Sequence, residues 1–516
     1  MSMSQPDMMN VEDSLPDYEV LLKAMAEAKD GTTNKWDIIC SYHVDKLNEV
    51  LADHYGKSKL ISQFTFSNEE VDRFTRETYI STYELSFAAP TIEFLSQNGL
   101  CQLKLPLVKG RNMVRKEDGK LLTEYDLPEN QYRLLAIVSL AAIVGDDAEG
   151  MKKSGQVVQF REDGQQANVF LHFKSELGTS FKIDPEPKKE DKSDLAVIVR
   201  EINSYFNQYV DELEWSLTSL NNDSVGENRF TIVPKKFVFS TSQAEQSGPG
   251  ILSLFIATEN SGGEGGKANS SFDLGDGTLQ PIPKGYTASL ILSHEFVARV
   301  YLQQALSKIG FRSIAEDISV ETGAVTTAHF DKTVNAKWGN VFDFAEDITV
   351  DALKLDLGGK PFRFAFSTDS LQVEMEQRTE VKWTRFTIGG HGGHYSDGKA
   401  KVKVALDKTY LLREIVTLND EEITLSFRTE NEDYKVSVEG FPSGSFGGDS
   451  KAVRFVQKQV YSNLPEISFD LEAINYFRAT NLLMPGKKVI AFDHQAGIHV
   501  PRDLILVGHI VEVSNG

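Results

Sequence analysis

The chain has 516 residues, 41% of them hydrophobic and 25% charged, and 54 basic side chains face 75 acidic ones for a formal net charge of −21. That length exceeds one ordinary core and predicts two or three domains, while the charge excludes sequence-independent nucleic-acid binding, which needs clustered cations. Cys40 and Cys101 are the only cysteines, which excludes a disulfide framework and suits a reducing compartment.

In chain order, residues 1–30 are polar and lack a basic start followed by an apolar core, so they read as a flexible segment without a secretory signal. The expectation is synthesis in the cytoplasm and any release without a signal peptide. Trp36 to Tyr42 reads as a strand that feeds a helix, His43 to Tyr55, with Val44, Leu47, Val50 and Leu51 on one face. Strand-like runs follow, including Thr78 to Phe87 and Asn168 to Phe173. Leu134 to Val144 is the most apolar stretch, too short to span a bilayer and expected to be a buried strand. Asp184 to Ser193 reads as a linker.

Two long helices are predicted next. Asp194 to Leu220 carries Leu195, Ile198, Val199, Ile202, Phe206, Val210, Leu213, Leu217 and Leu220 at spacings of three and four, with Ser193 as its N-cap. At ~1.5 Å per residue it would span roughly 40 Å. Tyr286 to Ile309, stopped by Gly310, has a wider apolar arc through Leu290, Leu292, Phe296, Val297, Tyr301 and Leu306. Between them, Phe237 to Thr258 is strand-like on both sides of a loop, and Ser261 to Gly277 is a glycine-rich loop. From Phe311 onward the alternation is almost continuously that of strands, and Asn431 to Asp433 is expected to turn Ile423, Leu425 and Phe427 into Tyr434, Val436 and Val438 as a hairpin. These patterns predict an α+β fold in which long helices are wrapped by strongly curved antiparallel β-sheets. Ordinary core packing in an α+β protein is the competing reading. The expected organisation is a flexible segment 1–30, an α+β lobe 31–280 and a helix-plus-β lobe 281–516.

Catalytic motifs fail when tested residue by residue. His294-Glu295 opens a zincin motif, but position 298 is Ala where the second histidine must stand. His391 and His394 could present two imidazoles, with His494 and His499 as further ligands, yet a glycine turn between strands is the simpler reading. Ser445 lacks the first glycine of a nucleophile elbow. The glycines around Glu264 lack the Lys-Ser/Thr partner of a phosphate cradle.

Several segments resemble one family. Ala473-Ile-Asn-Tyr-Phe-Arg-Ala-Thr-Asn481-Leu-Leu-Met-Pro-Gly486 and Gly497-Ile-His-Val-Pro501-Arg-Asp-Leu-Ile-Leu-Val-Gly508 are similar to the OrfX-type tubular lipid-binding (TULIP) proteins of bacterial toxin gene clusters. Lys35-Trp36-Asp37-Ile38-Ile39, Thr258-Glu259-Asn260 and the stretch from Ser293 to Leu306 look similar as well. The resemblance implies a helix held in a curved antiparallel sheet, binding of lipids including phosphoinositides, and no catalytic residues, cofactor or metal.

A seam between sheet and helix would gain about 0.8 kcal/mol for each acyl methylene it buries. Candidate lining residues are Ile198, Ile202, Phe206, Val210, Val297 and Tyr301, for each of which a filled core is the simpler reading. Lys104, Lys109, Arg111, Arg115, Lys116 and Lys120 form the densest basic region and are the candidate headgroup ligands. Lys399, Lys401 and Lys403 alternate along one strand, as a membrane patch or as protection of a sheet edge. The expected function is non-enzymatic lipid binding (a phosphoinositide or an acyl chain) associated with a toxin cluster, through peripheral membrane contact and with toxin-cluster proteins as further partners. The alternatives are a lipid-free assembly subunit or chaperone of a toxin complex and, third, a hydrolase with a site hidden in the linear sequence.

Overall fold

The computed structural model describes residues 15–28, 31–55, 63–94, 100–139, 144–146, 158–163, 166–172, 180–185, 193–209, 214–221, 229–231, 234–242, 250–258, 266, 272, 274, 279–319, 323–330, 333–343, 346–367, 369–389, 392–418, 422–429, 434–442, 448–464, 473–475, 490–493 and 495–511. Among them the strands form a ten-stranded, a seven-stranded and an eleven-stranded sheet and a two-stranded ribbon, mostly antiparallel.

The ten-stranded sheet has strands Ile38–His43, Ile251–Thr258, Ala288–Leu292 and Leu504–Ile510 at adjoining positions. Ile251–Thr258 and Ala288–Leu292 are buried at every residue, because both faces of the sheet are covered. Ile38, Cys40, Tyr42, Leu254, Leu290 and Leu506 join one core. Ile39, Phe255, Ile291 and Ile505 alternate with them and pack with Trp36 and with Leu21, Leu22 and Met25 of helix Tyr18–Glu27. The sheet draws strands from both sides of residue 280, so a boundary there divides the sequence without dividing this sheet.

The seven-stranded sheet is organised by one strand, Leu100–Lys116, of 17 residues. It carries Thr91–Phe94 and Thr78–Phe87 in tandem along one edge, and Tyr132–Ser139 and Leu121–Leu127 along the other. A register shift leaves Val108 as an extra residue, and the inward face passes from Leu103, Leu105 and Leu107 to Gly110 and Asn112. Helix Ser193–Gln208 packs on that inner face, where Leu195, Ile198, Val199, Ile202 and Phe206 share a core with Phe66, Tyr83, Phe87, Leu105 and Phe181. Asn203 and Asn207 fasten the helix to strand Ser180–Asp184. Asn203 Oδ1 accepts from the Ile183 amide at 2.6 Å, and Asn207 Oδ1 accepts from Phe181 N at 2.9 Å while its Nδ2 donates to Phe181 O at 2.8 Å.

The eleven-stranded sheet is built on a long hairpin, Ser370–Gly389 with Gly392–Leu418, in register from Ser370↔Leu411 to Gly389↔Gly392. Its inner face, with Val381, Trp383, Ala400, Val402 and Val404, packs on Ala452, Val456 and Val460 of helix Gly448–Tyr461. A helix on an antiparallel sheet thus occurs in both halves.

Three expectations are corrected. The longest described helix, Ser193–Gln208, has 16 residues, and Glu214–Asn221 is a strand paired with Gln166–His172. Leu217 and Leu220 continue the helical spacing by coincidence, and cross-strand pairing overrides it. Ala288–Leu292 is likewise a strand, and helical structure runs only from His294 to Lys308, with a π-turn over Val297–Leu302. Five consecutive buried residues, apolar but for Ser289, read alike as strand or buried helix; the start is set by Ser293, whose Oγ accepts from Phe296 N at 3.0 Å. Finally, Glu422–Thr429 and Lys435–Glu439 do not pair with each other. Both lie along Gly392–Leu418, against residues 410–418 and 401–405, because that strand is long enough for two neighbours in tandem.

Candidate lipid-contact site

Two turns meet at one end of the seven-stranded sheet. The first joins Gln63–Val71 to Thr78–Phe87, and the second joins Leu100–Lys116 to Leu121–Leu127. They are neighbours because Tyr79 pairs with Lys116 and the Glu117 amide donates to Thr78 O. Asp72 organises the first turn, its Oδ1 accepting from Phe74 N at 2.8 Å, Thr75 N at 2.7 Å and Thr75 Oγ1 at 3.1 Å. Those hydrogen bonds hold its carboxyl below the usual range. Phe74 is left at the apex, 97% exposed.

Val71, Leu121 and Leu122, on strands that these turns join, are exposed. Arg73, Arg76, Arg115 and Lys120 are exposed as well. Lys116 is bound to Glu77 at 2.8 Å, which together with Tyr79 depresses the Glu77 carboxyl and in turn raises the Lys116 ammonium. Of the acids on these turns, Asp72 and Glu77 are thus engaged within the protein, Asp118 Oδ1 accepts from the Lys120 amide, and Glu117 is exposed beside the cations and softens their charge. An aromatic ring held out by a stiff turn that also carries two exposed arginines suits an apolar layer topped by anions.

The six headgroup candidates do not gather as a set. Lys104 is paired with Glu93, and Arg111 with Glu124 and, at 3.6 Å, Asp126. Lys109 is exposed along the strand, and only Arg115, Lys116 and Lys120 reach the turns. Phe74, Arg73 and Arg76 were not among the expected residues. The available signal was the run Asp72-Arg-Phe-Thr75-Arg76, an Asx turn enclosing an aromatic residue.

Of the groove candidates, Ile198, Ile202 and Phe206 are buried in the core, as is Val297. Phe206 lies 5.1, 5.6 and 6.3 Å, ring to ring, from Phe64, Phe181 and Phe87. Val210 and the side chain of Tyr301 lie outside the described residues.

His391 and His494 also lie outside them. His394 is exposed on the long hairpin, whereas His499 stacks edge-on against Tyr18 and meets Ala496 O through Nε2 at 2.8 Å. Lys399 pairs with Glu380 at 2.9 Å and Lys403 with Glu376 at 2.7 Å. The edge-strand reading of these lysines is corrected at Lys401 and Lys403, which lie between strand 370–389 and Lys435–Glu439 in the sheet interior.

Four of the segments that carry the family resemblance meet at buried polar groups, whereas Ala473–Asn475 pairs in the eleven-stranded sheet. Asp37 Oδ2 accepts from Thr258 N at 2.6 Å, Asp37 O accepts from Ser293 N at 2.8 Å, and Asp503 receives His294 and Thr32. These contacts lie at the ends of strands of the ten-stranded sheet.

No family model and no curated protein matches this sequence. Among solved structures the chain is similar to P47 from Clostridium botulinum A2, with 13% identity over 92% of this chain and 98% of that one and a TM-score of 0.49. It is similar to P47 of Clostridium botulinum E1, with 13% identity over 93% of this chain and 100% of that one and a TM-score of 0.48. It is also similar to a lipopolysaccharide binding protein, with 11% identity over 93% and 100% and a TM-score of 0.25. Likenesses this loose are not grounds for assigning a family. No helix among the described residues is long and apolar enough to cross a membrane.

Proposed function

We propose that this chain is a non-enzymatic, peripheral lipid-binding protein that meets an anionic bilayer with the paired turns 72–77 and 116–121. The observation that carries the reading is Phe74, 97% exposed at an apex stiffened by Asp72. A fully exposed phenylalanine gains about 1.5–3 kcal/mol on burial, and each cation beside an anionic surface adds about 1 kcal/mol. Neither alone anchors a protein of this charge; together they do so reversibly.

Within that class the headgroup is a phosphoinositide, whose several phosphates can engage Arg73, Arg76, Arg115 and Lys120 on adjacent turns. The setting is a toxin-associated one, as the motif resemblance implies. Uptake of an acyl tail would require helix Ser193–Gln208 to part from its sheet, and Ile198, Ile202 and Phe206 would then line the tail.

Co-sedimentation with vesicles tests this. Binding is expected to phosphatidylcholine vesicles containing phosphatidylserine, to increase with a phosphoinositide, and to weaken with salt. Equal binding to pure phosphatidylcholine, or none to any composition, overturns it.

A further inference from the structure

The outward face of the long hairpin changes character along its length. Register places Glu376 opposite Ala405, Arg378 opposite Lys403, Glu380 opposite Lys401 and Lys382 opposite Lys399; nearer the turn come Thr384 with Asp397, Phe386 with Tyr395 and Ile388 with Gly393. The first rows are ionic, with Glu376 bridging Arg378 and Lys403 at 2.7 Å each. The last are apolar. The neighbouring strands Glu346–Val350 and Gly339–Asp343 extend the Phe386–Tyr395 row through Asp347 and Phe342. Trp338, Phe342, Ile388 and Tyr395 are 68, 71, 63 and 77% exposed, and the Phe386 and Tyr395 rings are 4.7 Å apart. So many large exposed apolar groups on one face mark an interaction surface.

Charge identifies what covers it. The ionic groups within these rows are carboxylates, Asp347 and Asp397. Asp347 Oδ2 accepts from Asn340 Nδ2 at 3.0 Å, but its Oδ1 is shut off from solvent without a hydrogen-bond partner. Beside the patch, Gly339–Asp343 pairs with Glu346–Val350 on one edge, and among the described residues no strand pairs with the other.

We infer that this face binds an extended, cationic segment of a partner protein, added as a strand beside Gly339–Asp343. Its backbone would complete the open edge, alternate apolar side chains would cover Trp338 and Phe342, and a Lys or Arg crossing the Phe342 ring would meet Asp347. The two acids lie within the apolar rows, beyond the lysines of the neighbouring ionic rows, and this surface does not depend on the role of the turns around Phe74.

The probe is a short labelled peptide in which Val and Lys take turns at every second position with Thr between them, so that both share one strand face, titrated against the full chain by fluorescence anisotropy, beside its counterpart with Glu for Lys. Saturable binding is expected for the first, with about tenfold or greater loss for the second, for Asp347→Asn with Asp397→Asn, and for Phe342→Ser with Tyr395→Ser. Near-ultraviolet circular dichroism of each variant should match the parent, and in the parent the peptide should slow hydrogen exchange at residues 339–343. Equal binding by all variants would mark attraction to bulk negative charge and overturn the assignment, as would absence of saturable binding. A patch that instead holds phosphatidylcholine vesicles, lost in Phe342→Ser with Tyr395→Ser, would make it a membrane contact.

Discussion

Nδ1 of His294 lies 2.6 Å from Oδ1 of Asp503, with both side chains buried and 209 positions of chain between them. The same carboxylate accepts from the His294 amide at 2.9 Å and, through Oδ2, from Thr32 N at 2.5 Å and Thr32 Oγ1 at 2.6 Å. Near the start of the sheet, before the π-turn and near the end of the chain, three segments are held by one side chain. A buried anion is tolerated only when its lone pairs are met, and here they are.

Removing that anion should therefore be costly. Burial pushes the Asp503 carboxyl up, but His294 and the two Thr32 donors outweigh this, so the group sits below its ordinary value. A depressed folded pKa contributes stability that is complete above the unfolded value, about 3.9, and is lost as pH falls through the folded one. Urea midpoints should fall as pH drops below about 4, and Asp503→Ala should cost roughly 3–5 kcal/mol at pH 7. An Asp503→Ala midpoint equal to that of the parent contradicts this.

Phe206→Ala separates filled core from lipid wall. With Phe64, Phe87 and Phe181 around the ring, truncation should destabilise the chain by about 3–5 kcal/mol in chemical denaturation. A small stability loss with diminished lipid retention would instead mark a groove.

Phe74→Ser should leave the melting temperature unchanged, since the ring is 97% exposed, and reduce vesicle binding about tenfold, within what burial of one aromatic ring supplies. Arg73→Gln with Arg76→Gln should flatten the salt dependence of binding. A lower melting temperature for Phe74→Ser would show the ring to be structural.

Gly508 is required by close approach. A Cβ there would lie 2.3 Å from Ala491 O, where strand Ile490–Phe492 crosses Leu504–Ile510. Gly508→Ala should cost about 1–3 kcal/mol, as overpacking does, with faster hydrogen exchange at residues 490–492. Parent-like exchange there would count against it.

Local pattern was enough for what local physics controls. Thr78–Phe87 is a strand at the expected residues, Val44–Tyr55 is a helix, and Ser193 stands at a helix start, because side-chain alternation and caps act within a few residues. Acidic composition and the absence of a complete catalytic motif were equally plain from the residues. Only the tertiary structure decided that Glu214–Asn221 and Ala288–Leu292 are strands, since their spacing fits either element and the neighbouring strand chooses. It also decided which cations are free for a ligand: Lys104, Arg111 and Lys116 meet carboxylates across the sheet, and register alone brings Phe74 to the turn that carries Arg115 and Lys120. Helix Gly448–Tyr461 escaped the reading of a β-rich half because, among its described side chains, only Ala452, Val456 and Val460 are buried. So narrow a stripe signals a helix only once a sheet lies under it.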